Sequence, residues 1–217
     1  MATVLIDEHQ AALLAIDRLA RQAISRVAPI RLGVAQTEAE RQAAYRLRYE
    51  AVISRGWMTP QEMPDEIEYD RYDDQAVHIV GYDGEMLATT ARIIFPRPGQ
   101  VLPTEAAFGI RIEPRGKVVD AGRFVVARNY SGIEHRMLSV LLAQTWLIVR
   151  QQGYARVCAA FASKAMIRVY RQMGFQVTLL GEERFYWGEM RFPVLFDVAQ
   201  SSQTLVQHWS SDVESSG

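Results

Sequence analysis

Asp83-Gly84 stands between two runs of strand-forming residues, 76–82 and 85–95. An Asp-Gly pair in that setting is a strong signal for a two-residue β-hairpin. Further on the pattern changes. A strand at 117–128, interrupted by Gly122, precedes a helix at 133–152 that stops at Gly153. The apolar run YARVCAAF (154–161) follows, then a helix capped by Ser163 that ends at Gly174, then the strands FQVTLL and RFYWGEMRFPVLFDV. A hairpin requires antiparallel pairing, whereas strands separated by helices imply parallel crossovers. Both patterns in one chain of 217 residues predict a mixed central sheet with helices packed on it, a single α/β domain.

Upstream of the hairpin, residues 5–26 read as an amphipathic helix and 30–35 as a short strand. Thr37 and Glu40 form a capping box before a helix running to about Ser54. Residues 56–74, with two prolines and little periodicity, read as a long loop, and so do residues 96–109. The reading divides the chain into a helical extension (1–29), the α/β domain (30–197) and a tail (198–217) whose end, SSDVESSG, is expected to fray.

Several function classes are excluded by composition. No apolar run approaches the roughly 18 residues of a membrane span, and the N-terminus lacks a basic segment followed by an apolar one. A cytoplasmic location is the expectation. Cys158, the one cysteine, lies in an apolar strand and reads as a small core residue. His9, His78, His135 and His208 are scattered, so no metal site is expected. Net charge is −1, far from the strongly basic balance of a nucleic-acid binder.

The chemistry has to come from charged residues set among apolar ones: Arg48 between Leu47 and Tyr49, Asp70 and Asp73 in EYDRYDD, Arg92 in TTARIIF, and Asp120 with Arg123 in VVDAGRFVV. Such charges are costly to bury unless paired. They form either a functional cluster across a cleft or a structural ion-pair network. Asp120 and Arg123 would face opposite ways on a regular strand. A bulge at Ala121-Gly122 would rotate one of them and turn backbone N–H groups towards a ligand. Residues 135–181 contain no acid and six cations, which suggests either a local anionic partner or solvated helix faces that lack partners.

The element order resembles the GNAT (N-acyltransferase) superfamily over about residues 30–197, with RVYRQMGF (168–175) as the helix-to-strand end of that fold. Within it, Arg48, Gly56-Trp57, Asp70 and Asp73, Arg92, and Asp120 with Arg123-Phe124 resemble the motif of the acyl-homoserine-lactone synthases and N-acyl amino acid synthases. The resemblance implies an acyltransferase with no permanently bound cofactor, in which an amine attacks an acyl thioester. Asp120 would orient or deprotonate the amine, with Arg123 beside it. Backbone N–H groups of Phe124 and Val125 would hold the oxyanion. Arg48, Trp57, Asp70, Asp73 and Arg92 would bind the acceptor, unless Asp70 and Asp73 only brace Arg48 and Arg92; the acyl chain would lie among apolar residues of the second half, with Leu142, Trp146 and Phe161 either lining it or, the preferred reading, serving as plain core.

Two departures stand out. Asp120 is one methylene shorter than the family's Glu, and residues 128–134 carry only part of a coenzyme A pyrophosphate loop, with Glu134 at its end. That favours an acyl-carrier-protein donor, docked on Arg150, Arg156, Lys164, Arg168 and Arg171. The N-terminal extension leans the reading towards amino acid acylation. The alternatives are a homoserine-lactone synthase using S-adenosylmethionine, a coenzyme-A-dependent acetyltransferase, and a non-catalytic carrier-binding module.

Overall fold

The computed structural model describes the backbone of residues 2–214 and the side chains of residues 10–159 and 163–207. Eight strands are present: β1 (Arg31–Val34), β2 (Val77–Asp83), β3 (Met86–Ile94), β4 (Val119–Val126), β5 (Arg156–Ala162), β6 (Val177–Leu179), β7 (Arg184–Tyr186) and β8 (Glu189–Asp197). Their order is β1-β2-β3-β4-β5-β8-β6, with β7 paired to the start of β8. The hairpin forms, with its turn one residue later than expected: Asp83 pairs with Met86 and the turn is Gly84-Glu85, with Gly84 at φ +59°.

Helix–strand alternation led to the expectation of several parallel crossovers. The sheet has one: β4 and β5 are parallel, and the other neighbours are antiparallel. The reason is that β8 returns between β5 and β6, so the strands flanking α5 never become neighbours. The β4–β5 pairing is short, limited to Val119↔Val157 and Asp120↔Cys158. Beyond it the two strands part.

Six helices cover the sheet: α1 (Ala2–Ser25), α2 (Glu38–Ser54), α3 (Pro103–Phe108), α4 (Glu134–Gln151), α5 (Lys164–Gln172) and α6 (Val198–Glu214). The Thr37–Glu40 capping box starts α2, with both reciprocal bonds present at 3.2 and 2.9 Å. Two segments differ from the sequence reading. The stretch 96–109 contains α3 because Pro103 opens a helical turn and Glu105 bonds back to the Leu102 N–H at 2.8 Å. The segment read as a tail continues as α6, whose Val198 and Leu205 pack with Leu13 and Ile16 of α1 and Trp146 of α4. The expected fraying of 210–217 falls partly on 215–217, outside the described residues. Among the described residues no helix is long and apolar enough to cross a membrane.

Candidate active site

α2 lies against β2, β3 and β4 and buries Tyr45, Arg48 and Val52. The long segment after it returns over the same face of the sheet and brings Glu68, Asp70 and Asp73 to Arg48. β3 contributes Arg92. β4 contributes Arg123 through a bulge: Arg92 opposes Gly122 and Thr90 opposes Val125, so Ala91 faces both Arg123 and Phe124. Arg123 takes φ +56°, a conformation that costs a non-glycine residue roughly 1–2 kcal/mol. The sequence placed the bulge at Ala121-Gly122; it lies two residues later, at Arg123-Phe124. Its effect is as expected. Ala121 and Phe124 both line an apolar cavity on the α4 side, while Asp120 and Arg123 reach the loops on the other face.

Six side chains close a ring of alternating sign. Arg48 Nε donates to Glu68, and its Nη1 and Nη2 donate to the two Asp73 oxygens at 2.7 and 3.0 Å. Arg92 Nη1 lies 3.0 Å from Asp73 Oδ2 and 2.8 Å from Asp70 Oδ1. Arg123 Nη2 lies 3.2 Å from Asp70 Oδ2, and its Nε donates to Glu68 Oε2 at 3.0 Å. Arg48, Glu68, Asp73 and Arg92 are buried. Three guanidiniums and three carboxylates compensate each other, which is what buried charge requires.

The ring sets the protonation of its members. Burial pushes the Glu68 carboxyl up, but the charges of Arg123 and Arg48 outweigh it and hold Glu68 below its ordinary value. Burial likewise opposes ionisation of Asp73, and the Arg48 hydrogen bonds and charge, with Arg92, hold it far below the usual carboxylate range. The Arg123 guanidinium is raised despite burial, chiefly by Glu68.

Of the six charged residues singled out in the sequence, five are in this ring. Glu68 is the member the sequence reading missed. With Asp120 the set already held three acids for three arginines, so the one signal for Glu68 was its place two residues before Asp70. Asp120 is placed elsewhere. Its Oδ2 accepts the Thr104 N–H at 2.7 Å, tying β4 to the start of α3. Burial raises its pKa, with the Thr104 bonds opposing.

Beside the ring lies a cleft of about 300 Å³. Arg48, Glu68 and Arg123 form one wall, Phe124 and Val125 run along the bulge, and Leu142 of α4 and Met166 and Tyr170 of α5 face them. Trp57 and the β7–β8 turn close its rim. In that turn Trp187 and Gly188 both take positive φ, 49° and 71°. The Arg123 guanidinium sits 4.9 Å from the Trp187 ring, and Arg191 sits 4.7 Å from the Trp57 ring. Phe124, Leu142 and Tyr170 also line a second, apolar cavity of about 60 Å³ between the sheet and α1, α4 and α6. Leu142 and Trp146, two of the candidate acyl-chain residues, are in its wall; the side chain of Phe161 lies outside those described. Apolar space of that size costs about 1.4 kcal/mol at roughly 24 cal/mol per Å³, and a hydrocarbon chain filling it recovers that energy.

The acid-free cationic stretch is not acid-free in space. Arg150 lies 4.0 Å from Asp17 and bonds Gln10, Arg156 bonds Asp197 at 2.7 Å, and Lys164 bonds Glu183 at 3.0 Å. Lys164, Arg168 and Arg171 lie on α5, whereas Arg150 lies in the last turn of α4 and Arg156 opens β5. Cys158 is fully buried, and among the described residues no group of His, Cys, Asp and Glu could hold a metal.

A mixed, mainly antiparallel sheet that parts between β4 and β5 above such a cleft defines a GNAT-like acyltransferase. The N-acyl amino acid synthase FeeM family pattern matches residues 43–195, and the chain belongs to that family. In structure it is similar to FeeM, an N-acyl amino acid synthase from uncultured soil microbes (16% identity, 82% of this chain and 96% of that one, TM-score 0.64). It is also similar to BjaI, a CoA-dependent acyl-homoserine lactone synthase solved with SAM and isopentyl-CoA (24% identity, 80% and 83%, TM-score 0.59), and to the AHL synthase LasI (14% identity, 78% and 92%, TM-score 0.60). No curated protein sequence matches the chain.

Proposed function

We propose that the protein moves an acyl chain from the phosphopantetheine thioester of an acyl carrier protein to the amine of an amino acid. The observation that carries the reading is that the polar cleft and the apolar cavity are neighbours sharing three side chains, Phe124, Leu142 and Tyr170. A thioester at the bulge would lay its chain in the cavity, with the acceptor against the ring.

The neutral amine attacks the thioester carbonyl carbon, the C–S bond breaks, and the thiol leaves with the proton the amine gives up. The backbone at Phe124 and Val125 faces the developing oxyanion. Glu68 and Asp73, held ionised by their arginines, are poor bases; the ring orients the acceptor and fixes Arg123. The amine proton passes to water in the cleft or to the leaving thiolate. Asp120 holds α3 in place. Trp57 covers the acceptor.

A carrier-borne donor is favoured over free coenzyme A by charge. A neighbouring groove runs from the end of β4 to the start of α4 and is lined by Glu50 and Glu134 as well as Arg55 and Arg128. Glu134 is the first residue of α4, where a diphosphate would need the helix N-terminus. The carrier would dock on α5, through Lys164, Arg168 and Arg171.

The test compares lipophilic products, by mass spectrometry, of cultures expressing the chain and its Arg123→Ala variant. An N-acyl amino acid made only by the unaltered protein is the expected result. An acyl-homoserine lactone would change the acceptor, and no product would refute the proposal. With purified protein, acyl-carrier thioesters should outperform acyl-CoA, and Arg168→Glu should raise KM for the carrier alone. Equal use of acyl-CoA would overturn the donor assignment.

A further inference from the structure

The far wall of the apolar cavity is built by residues that lie outside the family-matched segment. Ile16 comes from α1, and Val198 and Leu205 come from α6, while the family pattern spans 43–195. Ile16 and Leu205 are each 1% exposed and pack with Trp146, which lies on α4 between the two helices' contacts. Thr145, also in the wall, turns its hydroxyl to the Leu141 carbonyl, donating at 2.8 Å.

The position of that wall is held by one buried polar contact. Asp17, 6% exposed, accepts the Trp146 indole N–H at 2.8 Å, and Arg150 lies 4.0 Å from the same carboxylate. A buried carboxylate joined to a buried indole fixes the Trp146 ring plane and the depth of α1 against α4, because losing either partner leaves the other unsatisfied. The side shared with the cleft, Phe124, Leu142 and Tyr170, belongs to the family-matched segment; the opposite side belongs to the terminal helices.

We infer that α1 and α6 are the length ruler of this acyltransferase: Ile16, Leu205 and the Asp17-anchored Trp146 set how long an acyl chain the protein accepts. This rests on the acyl-transfer reading above. Asp17 is a positioning residue, acting through Trp146. An apolar pocket discriminates one methylene by about tenfold or more, so a floor moved by one side chain should displace the preferred chain length visibly.

The experiment assays the full-length protein on a ladder of saturated acyl thioesters from short to long, with kcat/KM read for each. Leu205→Ala and Ile16→Ala should shift the optimum to longer chains, and Leu205→Phe to shorter ones, with changes of about tenfold per methylene newly housed or refused. Asp17→Ala should broaden the profile and Asp17→Asn, which keeps an acceptor for the indole, should restore it. If an alanine variant fails to fold, Ile16→Val and Leu205→Val carry the same test. An unchanged profile in folded, active variants overturns the inference. Failure of the unaltered protein to acylate any amine with any thioester of the ladder overturns instead the reading on which it rests.

Discussion

Replacing Glu68 with Gln keeps the side chain's size and removes one charge from the ring. Arg48 retains Asp73 at 2.7 and 3.0 Å and Arg123 retains Asp70 at 3.2 Å, but both lose the charge of Glu68 and are left to share one amide oxygen. The amide's N–H₂ also points a donor at a guanidinium. Removing one partner of a buried ion pair costs about 3–5 kcal/mol. In a chain of this size each kcal/mol moves Tm by roughly 2–4 °C, so the low end of that cost predicts a fall of about 6–12 °C at neutral pH. The deficit should depend on pH with a definite sign. Glu68 titrates below the ordinary glutamate value of 4.5 because Arg123 and Arg48 outweigh its burial. A depressed carboxylate contributes stability that is present above the unfolded-state value and lost as pH falls through the folded one. The difference between the two proteins should therefore be full at neutral pH and shrink below pH 4.5. Calorimetry of both proteins across that range is the assay. A fall under about 2 °C, where even a single kcal/mol should show, or a deficit that persists unchanged in acid, would refute the claim that the ring is an interdependent buried network.

Three further outcomes follow from particular contacts. Asp120→Asn keeps an oxygen to accept the Thr104 N–H, so turnover should stay within about threefold of the unaltered protein. General-base catalysis is worth about 10²–10⁴-fold, and a loss of that order in steady-state kinetics would return Asp120 to that role. Gly188→Ala places a Cβ 2.3 Å from Trp57 Cδ1 at φ +71°. It should cost about 1–2 kcal/mol from the backbone alone and raise KM for the acceptor by displacing Trp57; an unchanged KM would remove Trp57 from the site. His78 is buried, which disfavours its imidazolium below the ordinary 6.5, with Asp73 opposing and Arg48 and Arg92 adding to the shift. As pH falls from 6.5 the unfolded chain takes up a proton that the folded chain refuses, so stability declines. His78→Gln should flatten that slope in a pH series of thermal melts, and an equal slope in both proteins would show that other groups carry it.

What local chemistry encodes was legible in the chain. The Asp83-Gly84 signal, the Thr37–Glu40 box and the glycines that end α4 and α5 act over a few residues, so the hairpin, α2, α4 and α5 could be read without the fold, whereas α3 and α6 could not. The charged residues that would need partners were also legible, because a charge inside an apolar run must be compensated wherever it ends up.

Their pairing was not legible. Glu68 rather than Asp120 completes the ring because a bulge shifts Arg123 towards the 56–76 segment, while α3, read as loop, takes the Asp120 carboxylate. The cationic stretch from 135 to 181 looked unpaired only because Asp17, Glu183 and Asp197 are distant in sequence. Local patterns determined the elements and the residue types of the site. Which acid meets which arginine, and which helices floor the apolar cavity, was decided by contacts between segments far apart in the chain, α1 against α6 among them, whose energy exists only once the sheet has brought them together.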